Sequence, residues 1–315
     1  MSLSLLIFLL SFGGVWFGSG LAIRSIQRIA HGLRISSFAV SFLVLGFFTS
    51  LGELSVGVNA VLNDDPEIFV GNLIGATIVI FMLIIPLLAI TGKKVAVTNA
   101  LRGRRILFPL IAASIPVLVS LNGKVDWLDG VLALSAFILS SVMTQTKQNL
   151  LEKASNFLKH KRFSLRIELL KVLIGVLAVF GASHLIVQET LILSELFNLS
   201  PFFISLLFIA LGTNLPELSL VIRSLFMRDK QVAFGNYLGS ATMNTGLFGV
   251  FTLWYGRPIA LTNSYLVSLV FSVIGLVLFY FFAKSKYTLS RWEGLVLLSL
   301  YVAFIVSELM LHRVF

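Results

Sequence analysis

Residues 210–244 read ALGTNLPELSLVIRSLFMRDKQVAFGNYLGSATMN. The stretch is two apolar helical runs joined by a short basic turn. Glu217 stands in the middle of the first run, preceded by Thr213, Asn214 and a helix-breaking Pro216. The second run carries Gly235, Asn236, Gly239, Ser240 and Asn244. A charged side chain at membrane depth costs about 2.5–3.5 kcal/mol on insertion scales, so its presence argues for a functional site. Hydroxyls, amides and backbone carbonyls around it are the oxygens an ion pocket needs.

The same pattern occurs earlier. Residues 48–80 read FTSLGELSVGVNAVLNDDPEIFVGNLIGATIVI. Thr49 matches Thr213, Glu53 matches Glu217, Gly71-Asn72 matches Gly235-Asn236 and Gly75 matches Gly239, each pair 164 residues apart with no gap. An internal repeat in an apolar chain points to a transporter architecture.

Composition agrees. The 315 residues are 57% hydrophobic and 12% charged, with a mean hydropathy of +0.98, a balance that fits a polytopic membrane protein. No cysteine is present, which excludes disulfides and thiol chemistry. The net charge of +10 does not mark a nucleic-acid partner, because the basic residues lie in loops between apolar spans. The first apolar run lacks a basic leader and continues past Arg24 and Arg28, unlike a cleaved signal peptide.

Ten apolar spans of membrane-crossing length can be marked, at about 3–23, 36–61, 68–91, 105–121, 127–145, 167–190, 201–225, 231–254, 262–283 and 291–310. The expected fold is an all-α polytopic membrane protein of ten transmembrane helices. Residues 1–145 form the first five-helix repeat, 146–166 a basic cytoplasmic loop and 167–315 the second repeat. Placing both termini outside puts 21 of the 24 lysines and arginines inside, a bias that sets the orientation. Five helices per half, an odd number, make the halves an inverted-topology pair, and such pairs build their site near the bilayer midplane.

Two carboxylates in one dry site repel unless a cation or proton lies between them. Glu53 and Glu217 together carry −2, which matches one divalent cation, two monovalent cations or two protons. Oxygen donors select hard cations such as Ca²⁺, Na⁺ or Mg²⁺. Candidate donors are Thr49, Ser50, Thr77, Thr213, Asn214, Ser240, Thr242 and Asn244. Pro216 lacks an N–H, so the Gly212 carbonyl cannot receive its helical bond, and Gly52 weakens the first helix at the corresponding place. Gly75 and Gly239 suit either site geometry or simple helix packing. His184 reads as a hydrogen-bonded or helix-end histidine before it reads as a proton relay. Glu168 and Glu308, near span ends, read as solvated or paired, and the turn Asp64-Asp65-Pro66-Glu67 as a solvated loop.

With the doubled motif in hand, the chain resembles the cation/Ca²⁺ exchanger superfamily, whose best-known branch is the sodium/calcium exchangers. Thr49-Ser50-Leu51-Gly52-Glu53 with Gly71-Asn72-Leu73-Ile74-Gly75, and Gly212-Thr213-Asn214-Leu215-Pro216-Glu217 with Gly235-Asn236-Tyr237-Leu238-Gly239-Ser240, carry the resemblance. It implies that Glu53 and Glu217 coordinate Ca²⁺, that the carbonyls of Thr49 and Thr213 join them, and that Ser50 and Ser240 serve flanking Na⁺ positions. It also implies that spans one and six slide over a core of spans 2–5 and 7–10. The chain departs from the family pattern at Gly52, Asn214 and Ala76. It also departs at Ile80 and Asn244, where the family commonly has a polar or acidic pair. Three bound Na⁺ beside only two carboxylates would leave uncompensated charge in a low-dielectric site.

The expectation is therefore a secondary-active antiporter, Ca²⁺ against Na⁺ or H⁺, with altered stoichiometry. An antiporter for monovalent ions, Mg²⁺ or Mn²⁺ stays open, as does a non-transporting membrane sensor or scaffold. No enzyme motif is apparent and no cofactor is expected. The partners are inorganic cations and the lipid bilayer, without nucleic acid. The compact chain without a targeting extension points to a prokaryotic plasma membrane, both termini outside.

Overall fold

The structure, a computed structural model, describes residues 2–32, 46–92, 94–96, 103–144, 165–218, 221, 231–261 and 265–311. The expected loop 146–166, apart from its last two residues, and the start of the second expected span lie outside the described residues.

Long apolar runs leave the chain one way to satisfy its backbone away from water, which is to close every N–H and C=O within a helix. The result is helical rods. The first is α1 (Ser2–Gly32). The second is α2 (Gly46–Thr49) followed by α3 (Leu51–Leu62). The third is α4 (Pro66–Val79), a π turn at Ile80–Ile84 and α5 (Ile85–Thr91). Then come α6 (Leu107–Val119) and α7 (Trp127–Thr144). The second half opens with α8 (Leu165–Phe197), then α9 (Pro201–Ile204), a π turn at Ser205–Ile209 and α10 (Ala210–Thr213). It closes with α11 (Gln231–Tyr255), α12 (Tyr265–Lys286) and α13 (Arg291–Leu311). These make five rods in each half, the inverted repeat architecture.

Among the described residues, seven rods are long and apolar enough to cross a membrane by themselves. Leu51–Leu62 and Leu107–Asn122 are shorter apolar helices, and Gln231–Tyr255 carries a polar centre. Two expected spans, 3–23 and 167–190, prove longer, as α1 and α8. At 1.5 Å per residue α8 is about 50 Å long, well beyond a hydrocarbon layer of about 30 Å, so it tilts or projects.

The repeat is visible in the backbone. The second rod breaks at Ser50 (φ −81°, ψ 15°) and the seventh at Asn214 (φ −85°, ψ 8°). These residues are 164 apart, the sequence offset. Pro216 accounts for the second break. Gly52, its counterpart, would bring a Cβ within 3.0 Å of Thr213, so the first break sits against the opposite half.

Two short antiparallel ribbons join the halves. β1 (Lys94–Ala96) pairs with β4 (Thr288–Ser290), and β2 (Lys124–Val125) with β3 (Ile259–Ala260). Their registers are images of each other under the 164-residue shift: Val95↔Leu289 and Ala96↔Thr288 become Ile259↔Val125 and Ala260↔Lys124. Each ribbon thus takes one strand from each half. The turn before α4 is also tied across, since Asp64 ion-pairs with Arg257, whose guanidinium lies over Tyr255. That pair is itself solvent-exposed, in keeping with a solvated turn.

Glycines set the closest helix approaches. A Cβ on Gly75 would lie 2.1 Å from the Leu206 carbonyl oxygen, and one on Gly71 2.5 Å from that of Phe202. The α1–α8 pair is seamed the same way, with Gly18 against the Gly175 carbonyl at 2.8 Å. Small residues at such contacts let backbones meet and gain dispersion energy where lipid offers no hydrophobic drive. Gly181 has nothing within 4 Å of a built Cβ. Gly75→Ala is therefore expected to lower stability by about 2 kcal/mol or more, since backbone must move. Gly181→Ala should leave it unchanged or slightly raised. Thermal midpoints of the detergent-solubilised variants check the contrast.

Candidate cation site

The two breaks bring the repeat carboxylates together. Glu53 sits in the first turn of α3, and Glu217 in the helical turn 215–218 beyond the Asn214 break. Both are buried, at 1% and 0% exposure, and Asn214, three residues before Glu217, reaches Glu53 directly. Among the described residues no cluster of three or more acidic, histidine or cysteine side chains forms.

Around Glu53, the Asn214 Nδ2 donates to Oε1 at 3.0 Å and to the Ala210 carbonyl at 2.8 Å. Thr213, facing Glu53, donates its hydroxyl to Asn72 Oδ1 at 3.3 Å. Around Glu217, the Ser240 hydroxyl donates to Oε1 at 3.3 Å and is bonded to the Thr49 hydroxyl at 2.7 Å. Tyr237 donates its hydroxyl to the Glu217 carbonyl at 3.4 Å. Glu53 is thus dressed by side chains of the opposite half, and Glu217 by side chains of both.

Of the expected site residues, Thr49, Thr213, Asn214 and Ser240 meet the two glutamates directly or through one another. Ser50, Thr77 and Asn244 are buried nearby in sequence register but bond to neither carboxylate. The Thr77 hydroxyl donates to the Leu73 carbonyl at 3.0 Å, and the Ser50 hydroxyl and both Asn244 amide atoms have no partner among the described residues. The second carboxylate oxygens, Glu53 Oε2 and Glu217 Oε2, and Asn214 Oδ1 are likewise buried without partners among the described residues. Thr242 turns back on Leu238 at 2.8 Å. Ile80 is fully buried and opens the π turn of the third rod, offering carbon where the motif would accept a ligand.

Asn72 is a contact that sequence reasoning left out of the site. Its place in the repeated Gly-Asn pair was the available signal. Outside the site, His184 Nδ1 and Asn59 Oδ1 lie 3.1 Å apart while Asn59 Nδ2 donates to Ser183 Oγ at 3.0 Å, which agrees with a hydrogen-bonded histidine. Glu168 pairs with Arg28 at 2.8 Å and Lys171 at 3.1 Å, as expected for a paired group. Glu308 is not solvated: it is 1% exposed and accepts from Ser268 Oγ at 2.8 Å. Helix pairing between α12 and α13 buries it despite its place near a span end.

Inverted helical repeats that meet at a buried, oxygen-lined carboxylate pair define a secondary membrane transporter. Comparison with known proteins specifies the class. The family model for sodium/calcium exchanger protein matches residues 3–145 and 168–310. The membrane protein MJ0091 of Methanocaldococcus jannaschii is 28% identical over 301 residues, covering 95% of this chain and 96% of that protein. The sodium/calcium exchanger MaX1 of Methanosarcina acetivorans is 24% identical over 353 residues, covering 97% and 98%. A solved structure of the sodium-calcium exchanger NCX_Mj superposes with a TM-score of 0.68 at 27% identity, covering 97% of this chain and 98% of that one. The chain belongs to the sodium/calcium exchanger protein family, a family of membrane antiporters rather than enzymes.

Buried amide atoms without partners are destabilising, and replacing such a group by an apolar one of similar shape relieves that cost. Asn244→Leu is expected to raise stability by about 1–3 kcal/mol in cation-free detergent, read as a higher thermal midpoint. A lower midpoint would show that Asn244 is satisfied in the folded protein.

Proposed function

We propose that this chain exchanges Ca²⁺ against Na⁺ or H⁺ by alternating access, with Glu53 and Glu217 as joint cation ligands. Thr49, Ser50, Thr77, Thr213, Asn214, Ser240 and Asn244 supply the surrounding oxygens. The observation that carries this reading is the pair itself: two repeat-related carboxylates, buried together, each keeping one oxygen without a partner among the described residues. A scaffold that had lost transport would gain stability by filling that space with apolar side chains, since unpaired buried polar groups are costly. Their retention favours a site that is filled by an ion.

The charge count supplies the coupling. With both carboxylates ionised and the site empty, reorienting the carrier drags −2 through a low-dielectric interface. One Ca²⁺, two Na⁺ or two protons cancel that charge, so the filled carrier crosses more readily than the empty one. Exchange rather than leak follows. Ile80 offers no ligand and Asn244 no charge, so a third monovalent ion would be uncompensated. The favoured stoichiometry is one divalent for two monovalent ions, which is electroneutral.

In this reading residues 1–145 and 167–315 are the two inverted halves, 146–166 the cytoplasmic link, and both termini face outward from a prokaryotic plasma membrane. The bias of basic residues supports that orientation.

Proteoliposomes test it. An imposed Na⁺ or pH gradient is expected to drive ⁴⁵Ca²⁺ uptake that Glu53→Gln and Glu217→Gln each abolish. A valinomycin-set membrane potential should leave the wild-type rate unchanged, and Ile80→Asn with Asn244→Asp should make it potential-sensitive. No uptake under either gradient, or uptake surviving both glutamine variants, would overturn the reading.

A further inference from the structure

The two carboxylates are held by chemically different partners. Glu217 Oε1 is met by the Ser240 hydroxyl, itself bonded to the Thr49 hydroxyl. A hydroxyl is both donor and acceptor, and rotating about its C–O bond turns a lone pair toward an incoming cation. Glu53 Oε1 is met by an amide –NH₂, which only donates. Asn214 cannot turn that group away cheaply. Its second hydrogen goes to the Ala210 carbonyl at 2.8 Å, and the residue is fully buried at the helix break.

The repeat sharpens the contrast. The counterpart of Asn214 is Ser50, 164 residues earlier, whose hydroxyl is buried with no partner among the described residues. One half therefore presents a small, free oxygen at this position, and the other presents a tethered N–H pair. A cation approaching Glu53 Oε1 from the Asn214 side meets the positive end of the amide dipole. The amide takes the place a cation would fill. Asn214 Oδ1, which is buried and unpartnered, remains as an acceptor on the same side chain.

We infer that Asn214 is a specificity-determining residue, a built-in donor that closes the Glu53 Oε1 side of the site to a separate monovalent ion. The inference rests on the antiporter reading above and deepens it. Charge count says that a third Na⁺ is unfavourable, and Asn214 is the group that bars its entry physically. Glu53 Oε2, Glu217 Oε2, Asn214 Oδ1, Asn244 Oδ1 and the hydroxyls of Ser50, Ser240 and Thr49 are among the oxygens left for cations.

The experiment is ⁴⁵Ca²⁺-for-Ca²⁺ self-exchange in proteoliposomes, titrated with Na⁺ on both sides so that no gradient drives flux. Self-exchange needs Ca²⁺ binding and reorientation alone, so it reads the antiporter function whatever the counter-ion. Na⁺ inhibition of it reads how Na⁺ occupies the site. Asn214→Ser changes a residue of the site, so its Na⁺ inhibition is read relative to its own Na⁺-free self-exchange rate. Na⁺ should then inhibit at about tenfold lower concentration, with a Hill coefficient higher than wild type. Asn214→Asp removes the donor at constant shape and should move the curve in the same direction, which keeps the test open if the serine variant does not fold. Inhibition curves that superimpose on wild type in a variant with intact self-exchange overturn the inference. So does a wild-type Hill coefficient above 2, which needs no variant at all. Absence of self-exchange in the wild type overturns the antiporter reading itself, and this inference with it.

Discussion

Glu53 and Glu217 bring two like charges into one dry interface, and most of the structure can be understood as what makes that tolerable. Two unit charges 4 Å apart repel by about 4 kcal/mol even at an effective dielectric of 20. The surroundings answer with donors placed by broken helices. Ser50 and Asn214 depart from helical geometry at repeat-equivalent points, so that each break sets a carboxylate-bearing turn against the opposite half. The donors come from across the interface: Asn214 reaches Glu53, and Thr49 joins Ser240 at Glu217. Each half is incomplete without the other.

Holding that interface together needs close backbone contact and lateral restraint. Gly71 and Gly75 let α4 press on the carbonyls of Phe202 and Leu206. The two symmetry-related ribbons tie spans of one half to those of the other. The long α1–α8 pair takes no strand in either ribbon. It packs through Gly14, Gly18 and Gly175, a smooth seam, and reaches α3 through Ser183 and His184 against Asn59.

The doubled motif made the fold legible. A 164-residue offset repeated without gaps fixes two halves, and apolar run length fixes the rods within them. The glutamates were legible for the same reason, because a carboxylate at membrane depth stands out and two at one offset stand out more. What sequence did not disclose were pairings between residues remote along the chain. Asn72 meets Thr213 across 141 residues, and Asn59 meets His184 across 125. Glu308 read as solvated or paired, and its partner, Ser268 of α12, lies 40 residues away. Strands of two or three residues carry no periodicity, so the ribbons had no sequence signature. The full length of α1 was hidden because Arg24 and Arg28 interrupt the apolar run while continuing the helix, and α8 runs past its expected end through Glu195 to Phe197.

The central claim is that the two glutamates hold one divalent cation jointly, neither sufficing alone. Equilibrium ⁴⁵Ca²⁺ binding to the purified protein tests it most directly, free of assumptions about gradients or coupling. The account predicts one Ca²⁺ per chain, with affinity reduced by about 100-fold or more, near 2.7 kcal/mol, in Glu53→Gln and in Glu217→Gln alike. Wild-type affinity in either variant, or two independent Ca²⁺ per chain, would contradict it.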